Sequence, residues 1–235
     1  MPLKPVRHIR STENAVLCFF VLYLVFSLPV AVITQRMINL MMIWNCFLAL
    51  LPLVFAWQFR PPSAGSWRYN LPLGMLWLLF FPNAPYMITD FAHLSAVSFF
   101  TDAASGARVV MTENPAAWLS LIQIGIGVLF GNLSGLLSMA LIHDHLTRRL
   151  GTKHAHLAIF LICLISGYAM FIGRFLRFNS WDIIHPSRLL TQLASHVNLY
   201  AIGYSLLFAV YILLSYWLFL TFTDLGSHHG TRFRS

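Results

Sequence analysis

The chain has 235 residues, 58% hydrophobic and 15% aromatic but only 9% charged. A soluble domain carries roughly 25% charged residues, so this composition excludes a water-covered globule. The length suits one compact bundle and leaves no room for a separate soluble domain of ordinary size. The formal net charge of +8 does not indicate nucleic acid, because the basic residues lie scattered between apolar runs and form no stripe.

Crossing roughly 30 Å of hydrocarbon takes about 20 apolar residues in a helix. In chain order, six stretches qualify: 15–34, 37–59, 69–89, 115–142, 155–173 and 197–223. None contains Lys, Arg, Asp or Glu. Backbone groups in lipid must be satisfied within their own segment, so these stretches are predicted to be helices. The expected fold class is all-α, a polytopic integral membrane bundle of six transmembrane helices. Residues 1–14 read as a cytoplasmic N-terminal segment, 15–223 as the transmembrane domain, and 224–235 as a cytoplasmic tail without order.

The first stretch follows Lys4, Arg7 and Arg10, as in a signal peptide. Its apolar run is longer than a signal core, no small-residue cleavage site ends it, and more spans follow, so it is read as an uncleaved first helix. Counting Lys and Arg by loop, with the N-terminus inside, gives ten on the inner side and five on the outer. The positive-inside bias then predicts both termini in the cytoplasm of a cell bounded by this membrane. Between spans, residues 187–197 and, more weakly, 91–100 show apolar residues at helical spacing suited to the membrane surface. Residues 101–114 read as an outer loop.

Within the spans, Gly127, Gly131 and Gly135 recur at every fourth residue of the fourth helix. Their common face lets a neighbouring helix approach closely, either from this chain or from a second copy. Asn132 in that span needs a hydrogen-bond partner. Cys18, Cys46 and Cys163 sit singly in apolar runs, with no CxxC pair, and read as small buried thiols.

Two segments combine polarity with an apolar run. Residues 81–94 read Phe-Pro-Asn-Ala-Pro-Tyr-Met-Ile-Thr-Asp-Phe-Ala-His-Leu, and residues 173–182 read Gly-Arg-Phe-Leu-Arg-Phe-Asn-Ser-Trp-Asp. They end the third and fifth spans, so by parity both reach the same, outer face. Pro82 and Pro85 each remove a backbone donor and disturb the helix. Tyr86, Asp90 and His93 follow at helical spacing and are expected on one face. Ionisable groups in or near lipid are costly and point to function by default.

Arg174 and Arg177 can grip phosphate or carboxylate through planar bidentate contacts. Asp90 can pair with an arginine or act as a base, with His93 as proton carrier. Asn83, Tyr86 and Asn179 can orient a polar headgroup. Trp181 can stack on it or anchor the interface. Asp182 can balance Arg177 or contribute to a cation site. The competing reading of the same residues is a structural lock, with Asp90 paired to Arg177 across two helices.

A second cluster, His143-Asp144-His145 and His154-Ala155-His156, matches no closed zinc pattern, so no metal is assigned. No phosphate loop, Gly-x-Ser-x-Gly elbow or His-Glu-x-x-His motif occurs, and no cofactor is expected.

The two polar segments resemble a bacterial family of predicted membrane proteins called domain of unknown function 1361. The resemblance runs from about the second span to the sixth. It implies a multi-pass protein of a bacterial plasma or inner membrane, with no established activity and no catalytic assignment to carry over. The leading hypothesis is therefore an outer-face pocket, lined by Asp90, Arg174 and Arg177, for an anionic headgroup or lipid-linked substrate. A small-solute transporter and a non-catalytic assembly subunit, using the glycine face of the fourth span, stand as alternatives. Membrane lipids are the expected partners.

Overall fold

The computed structural model describes residues 9–63, 65–102, 109–176 and 198–230. Its helices are α1 (Ile9–Thr34), α2 (Met37–Trp57), α3 (Ser66–Phe80), a short α4 (Asn83–Tyr86), a 3₁₀ helix (Met87–Ala96), α5 (Pro115–Leu150), α6 (Thr152–Phe171), a π-helical turn (Ile172–Leu176) and α7 (Leu199–Gly230). Six helical segments are long and apolar enough to cross a membrane: Thr12–Thr34, Met37–Trp57, Ser66–Ala96, Pro115–Leu150, Thr152–Phe175 and Leu199–Asp224. Each matches one of the six expected stretches, and the protein is a multi-pass, all-helical bundle. The one departure from helix among the described elements is a small antiparallel hairpin, pairing Phe100–Asp102 with Val109–Met111 in the loop before α5. Helix α7 continues to Gly230, past the start of the tail expected to lack order.

The outer surface is apolar. Val32 is 75% exposed, Met75 66% and Trp217 67%, which is untenable in water over so many residues and natural against lipid tails. The interior carries the polar groups. Asn39, Ser120 and Gln123 are fully buried. Asn39 donates to the Ser120 hydroxyl at 3.1 Å, and Gln123 donates to the Asn39 carbonyl at 2.7 Å, tying α2 to α5.

The hub of the bundle is α5, which packs on α1, α2, α4, the 3₁₀ helix, α6 and α7. The glycine stripe explains how. A Cβ at Gly127 would lie 2.6 Å from both Met42 Cε and Tyr23 Oη, one at Gly131 would overlap the Met87 sulfur, and one at Gly135 would lie 2.5 Å from Ala84 Cβ. The stripe is thus filled from within the chain, by α1, α2, α4 and the 3₁₀ helix. A second copy of the chain would have to meet a different face.

A comparable device joins α6 to α7. A Cβ at Gly167 would strike the Ser205 carbonyl oxygen and come within 2.9 Å of the Ala209 nitrogen. Ala201, Ser205 and Ala209 repeat at every fourth residue on the facing side of α7. Small side chains on both helices let the backbones touch. One residue, Gly151, turns α5 into α6; its φ of 82° is open to glycine and strained for any other residue.

Candidate functional site

The third span is broken, and the break has a clear local cause. Pro82 and Pro85 cannot donate to the helical ladder. The Asn83 side chain compensates by donating to the Phe80 carbonyl at 2.9 Å, and the chain resumes with Tyr86 N donating to Pro82 O at 3.0 Å. Thr89 Oγ1 then donates to the Tyr86 carbonyl at 2.8 Å, three residues back. From Met87 the helix tightens to three residues per turn, so Met87 and Asp90 stack on one row. Both are buried against the bundle.

This geometry revises the expected common face. Asp90 is 2% exposed, Tyr86 is half-buried and His93 is exposed. In a 3₁₀ helix the row through Asp90 runs i, i+3, which leaves Tyr86 to one side. His93 keeps the row but lies beyond the packed region. It remains within electrostatic reach of the Asp90 carboxylate.

The direct partner of Asp90 is Asn45 on α2, whose Nδ2 donates to Asp90 Oδ2 at 2.8 Å. No arginine lies within ion-pairing distance of Asp90 among the described residues. Asn45 was not among the residues singled out from sequence, although an amide between Trp44 and Cys46 in a largely apolar helix is itself a signal, since it must find a partner in lipid.

On the fifth span, α6 ends by widening into the π-helical turn that contains Arg174. Single π turns are uncommon and cluster at functional sites. Here the turn brings the Arg174 guanidinium up to the Tyr86 hydroxyl, its strongest polar neighbour. Asp90 and Tyr204 of α7 lie within electrostatic reach of Arg174. Three helical segments therefore meet: the broken third span, the end of α6 and the start of α7. The structure unites Tyr86, Asp90 and Arg174, with Asn83 at the break and His93 at the rim. Arg177, Asn179, Trp181 and Asp182 lie outside the described residues, as does the segment 187–197.

Aromatic rings wall the α7 side. Phe175 lies edge-on to Tyr200 at 5.4 Å and to Tyr204 at 5.1 Å, and Tyr204 contacts Phe208 at 4.5 Å. Deeper in the bundle, Tyr211 donates to Asn132 Oδ1 at 2.6 Å, the partner that the amide of the fourth span required.

The histidine cluster at the other end of the bundle holds elements together. His143 Nδ1 lies 2.8 Å from the Tyr216 hydroxyl, and its ring meets the His156 ring edge-on at 4.9 Å. His145 packs edge-on to Phe59 at 5.1 Å. Among the described residues no group of three or more His, Cys, Asp or Glu side chains could hold a metal ion.

Six membrane-length apolar helices, one of them broken and carrying a buried acid that meets a cationic helix end, make this a multi-pass membrane protein with a polar junction. The chain belongs to the family described as protein of unknown function (DUF1361), whose model matches residues 44–215. That match runs from the residue before Asn45 to the residue before Tyr216 and so contains the whole junction. No curated protein and no solved structure matches the chain.

Proposed function

We propose that the junction of the broken third span, α6 and α7 binds an anionic headgroup, a phosphate or carboxylate, at the outer face of a bacterial cell membrane. The observation that carries this reading is a guanidinium seated on a tyrosine hydroxyl beside a buried carboxylate. Among the described residues Tyr86 engages part of the five-donor fork of Arg174, and a fork of this planar shape suits a bidentate oxyanion. Asp90, held by Asn45, is the base of the proposed site, and the exposed His93 its proton exchanger with water. Arg177, Asn179, Trp181 and Asp182 complete the proposed lining. The outer location rests on the positive-inside bias, which also sets both termini in the cytoplasm.

Titration of the purified protein in phosphatidylcholine nanodiscs with glycerol phosphate tests the reading. Arg174→Ala is expected to weaken binding about tenfold or more, a loss of about 1.4 kcal/mol or more. Arg174→Lys, which keeps the charge and loses the fork, should fall between. Unchanged binding in Arg174→Ala would sink the proposal.

One observation favours a second reading. A proline-broken helix beside a buried acid is a recurring feature of transporters, although theirs lies near the midplane. Solute uptake into proteoliposomes that is lost in Asp90→Asn would support transport, and unaltered uptake would remove Asp90 from any transport path.

A further inference from the structure

Toward the end of the bundle where α1 turns into α2, a layer of polar side chains is buried that the junction does not use. Ser27, Asn39, Ser120 and Gln123 are all fully buried. Hydrogen bonds within the layer fix which way each amide points. Thr34 Oγ1 donates to the Val30 carbonyl at 2.7 Å, so toward Asn39 it can only accept, and Asn39 Nδ2 is the atom that faces it. Gln123 Nε2 donates to the Asn39 carbonyl at 2.7 Å. Both amide nitrogens are thus engaged, and the two amide oxygens are left over. Among the described residues Asn39 Oδ1 and Gln123 Oε1 have no hydrogen-bond partner, and neither does Ser27 Oγ. Ser27 lies on α1 beside the Tyr23 hydroxyl, which itself donates to the Gln123 main-chain carbonyl at 3.3 Å. Three unmatched oxygens from three helices therefore share one layer.

Unmatched oxygens are costly to bury in a membrane bundle, and several on neighbouring helices call for one electrophile that they can share. We propose that this layer binds a monovalent alkali cation, sodium or potassium, through Ser27 Oγ, Asn39 Oδ1 and Gln123 Oε1. The ligand set is all oxygen, as hard cations require. It is also neutral, because residues 15–34, 37–57 and 115–142 carry no Asp or Glu. Nothing in the layer offsets the dehydration of a divalent ion, whereas neutral oxygens can replace the hydration shell of an alkali ion. A balancing charge stands close by. The Asp90 carboxylate lies within electrostatic reach of Cys46, and Cys46 neighbours the Tyr23 hydroxyl. The layer is also near an entrance. Thr34 ends α1, Asn39 belongs to the first turn of α2, and only Gln35 and Arg36 separate the two helices. This site is separate from the headgroup junction and does not depend on it.

Thermal unfolding of the full chain in detergent, in sodium, potassium or choline chloride at one ionic strength, tests the site. Sodium or potassium at a hundredfold excess over its Kd should raise the midpoint by roughly 5–10 °C, and choline should not. Ser27→Ala removes one proposed ligand that carries no hydrogen bond of its own. It should fold as the parent does, yet need about tenfold more cation for the same shift. Ser166→Ala removes an equally buried and equally unpartnered hydroxyl on α6, and should respond to the cation as the parent does. Equal midpoints in the three salts would overturn the proposal and leave the oxygens to a water molecule. A parent-like response in Ser27→Ala would overturn it by placing the cation elsewhere. So would a loss of response in Ser166→Ala as large as that in Ser27→Ala.

Discussion

Removing the Asn45 amide would leave the Asp90 carboxylate buried with no direct donor among the described residues. An unmatched buried polar group costs about 1–3 kcal/mol, and a charged one more. Asn45→Leu is therefore expected to lower stability by at least about that amount, whereas Asn45→Leu combined with Asp90→Leu should recover most of the loss, because two apolar partners leave nothing unmatched. Thermal unfolding of Asn45→Leu, Asp90→Leu and the double variant in detergent measures the coupling. Single losses that simply add in the double variant would mean that the contact contributes little. At this scale the sequence was informative where charge met lipid. Asp90 and Arg174 stood out because ionisable groups are rare in apolar runs. Asn45 was passed over because an uncharged amide barely interrupts such a run, although it bears the contact that holds the acid. The seating of Arg174 on Tyr86 was not legible, since it depends on a π turn that no residue pattern in 172–176 announces.

Among the elements, the glycine stripe of α5 makes the sharpest contrast with its neighbours. Gly131→Ala would push a methyl into the Met87 sulfur, and overpacking of this kind costs roughly 1–3 kcal/mol. Gly125→Ala, on the same helix but with nothing within 4 Å of its added Cβ, should be neutral or stabilising by up to about 1 kcal/mol. Met87→Ala should relieve part of the Gly131→Ala penalty, which a second-copy contact at this face would not explain. Unfolding midpoints of the four proteins in one detergent decide it; equal effects at Gly131 and Gly125 would contradict the packing described. The stripe was visible as three glycines at every fourth residue, but its partners were not, because long-range contact leaves no local trace. The matching Ala201–Ser205–Ala209 row on α7 went unread for another reason. Alanine and serine are ordinary in any span, and only the close approach at Gly167 gives them meaning. Likewise Pro82 and Pro85 announced a break, yet the 3₁₀ winding that follows is fixed by Met87 and Asp90 docking on α5 and α2.

For the molecule as a whole, the six crossings were the most legible property, because a run of about 20 apolar residues has few alternatives to a membrane helix. Their parity predicts that His93 and Asn198 lie on one side and Lys153 on the other. Single-cysteine variants at these positions, in a background without Cys18, Cys46 and Cys163, should divide that way when intact cells meet an impermeant thiol reagent. Labelling of His93→Cys and Asn198→Cys alone before permeabilisation is the outcome expected for an outer junction. Labelling of Lys153→Cys alone would invert the protein and turn the site toward the cytoplasm. His93 and Asn198 on opposite sides would break the bundle as described.

The docking of the broken span into α5 also bears on how the protein is made. Ser66–Ala96 is the least hydrophobic of the six crossings, and it carries Asn70, Asn83 and Asp90. The notch that receives Ala84 and Met87 is built by Gly131 and Gly135, which the ribosome delivers some forty residues later in this numbering. Until then the third span has α2 but not α5 to shelter its polar half, so it is expected to insert less completely when the chain stops before Gly131 than when it runs past Gly135. An insertion assay on the two truncations measures this, and equal insertion would mean that the span enters lipid without its notch.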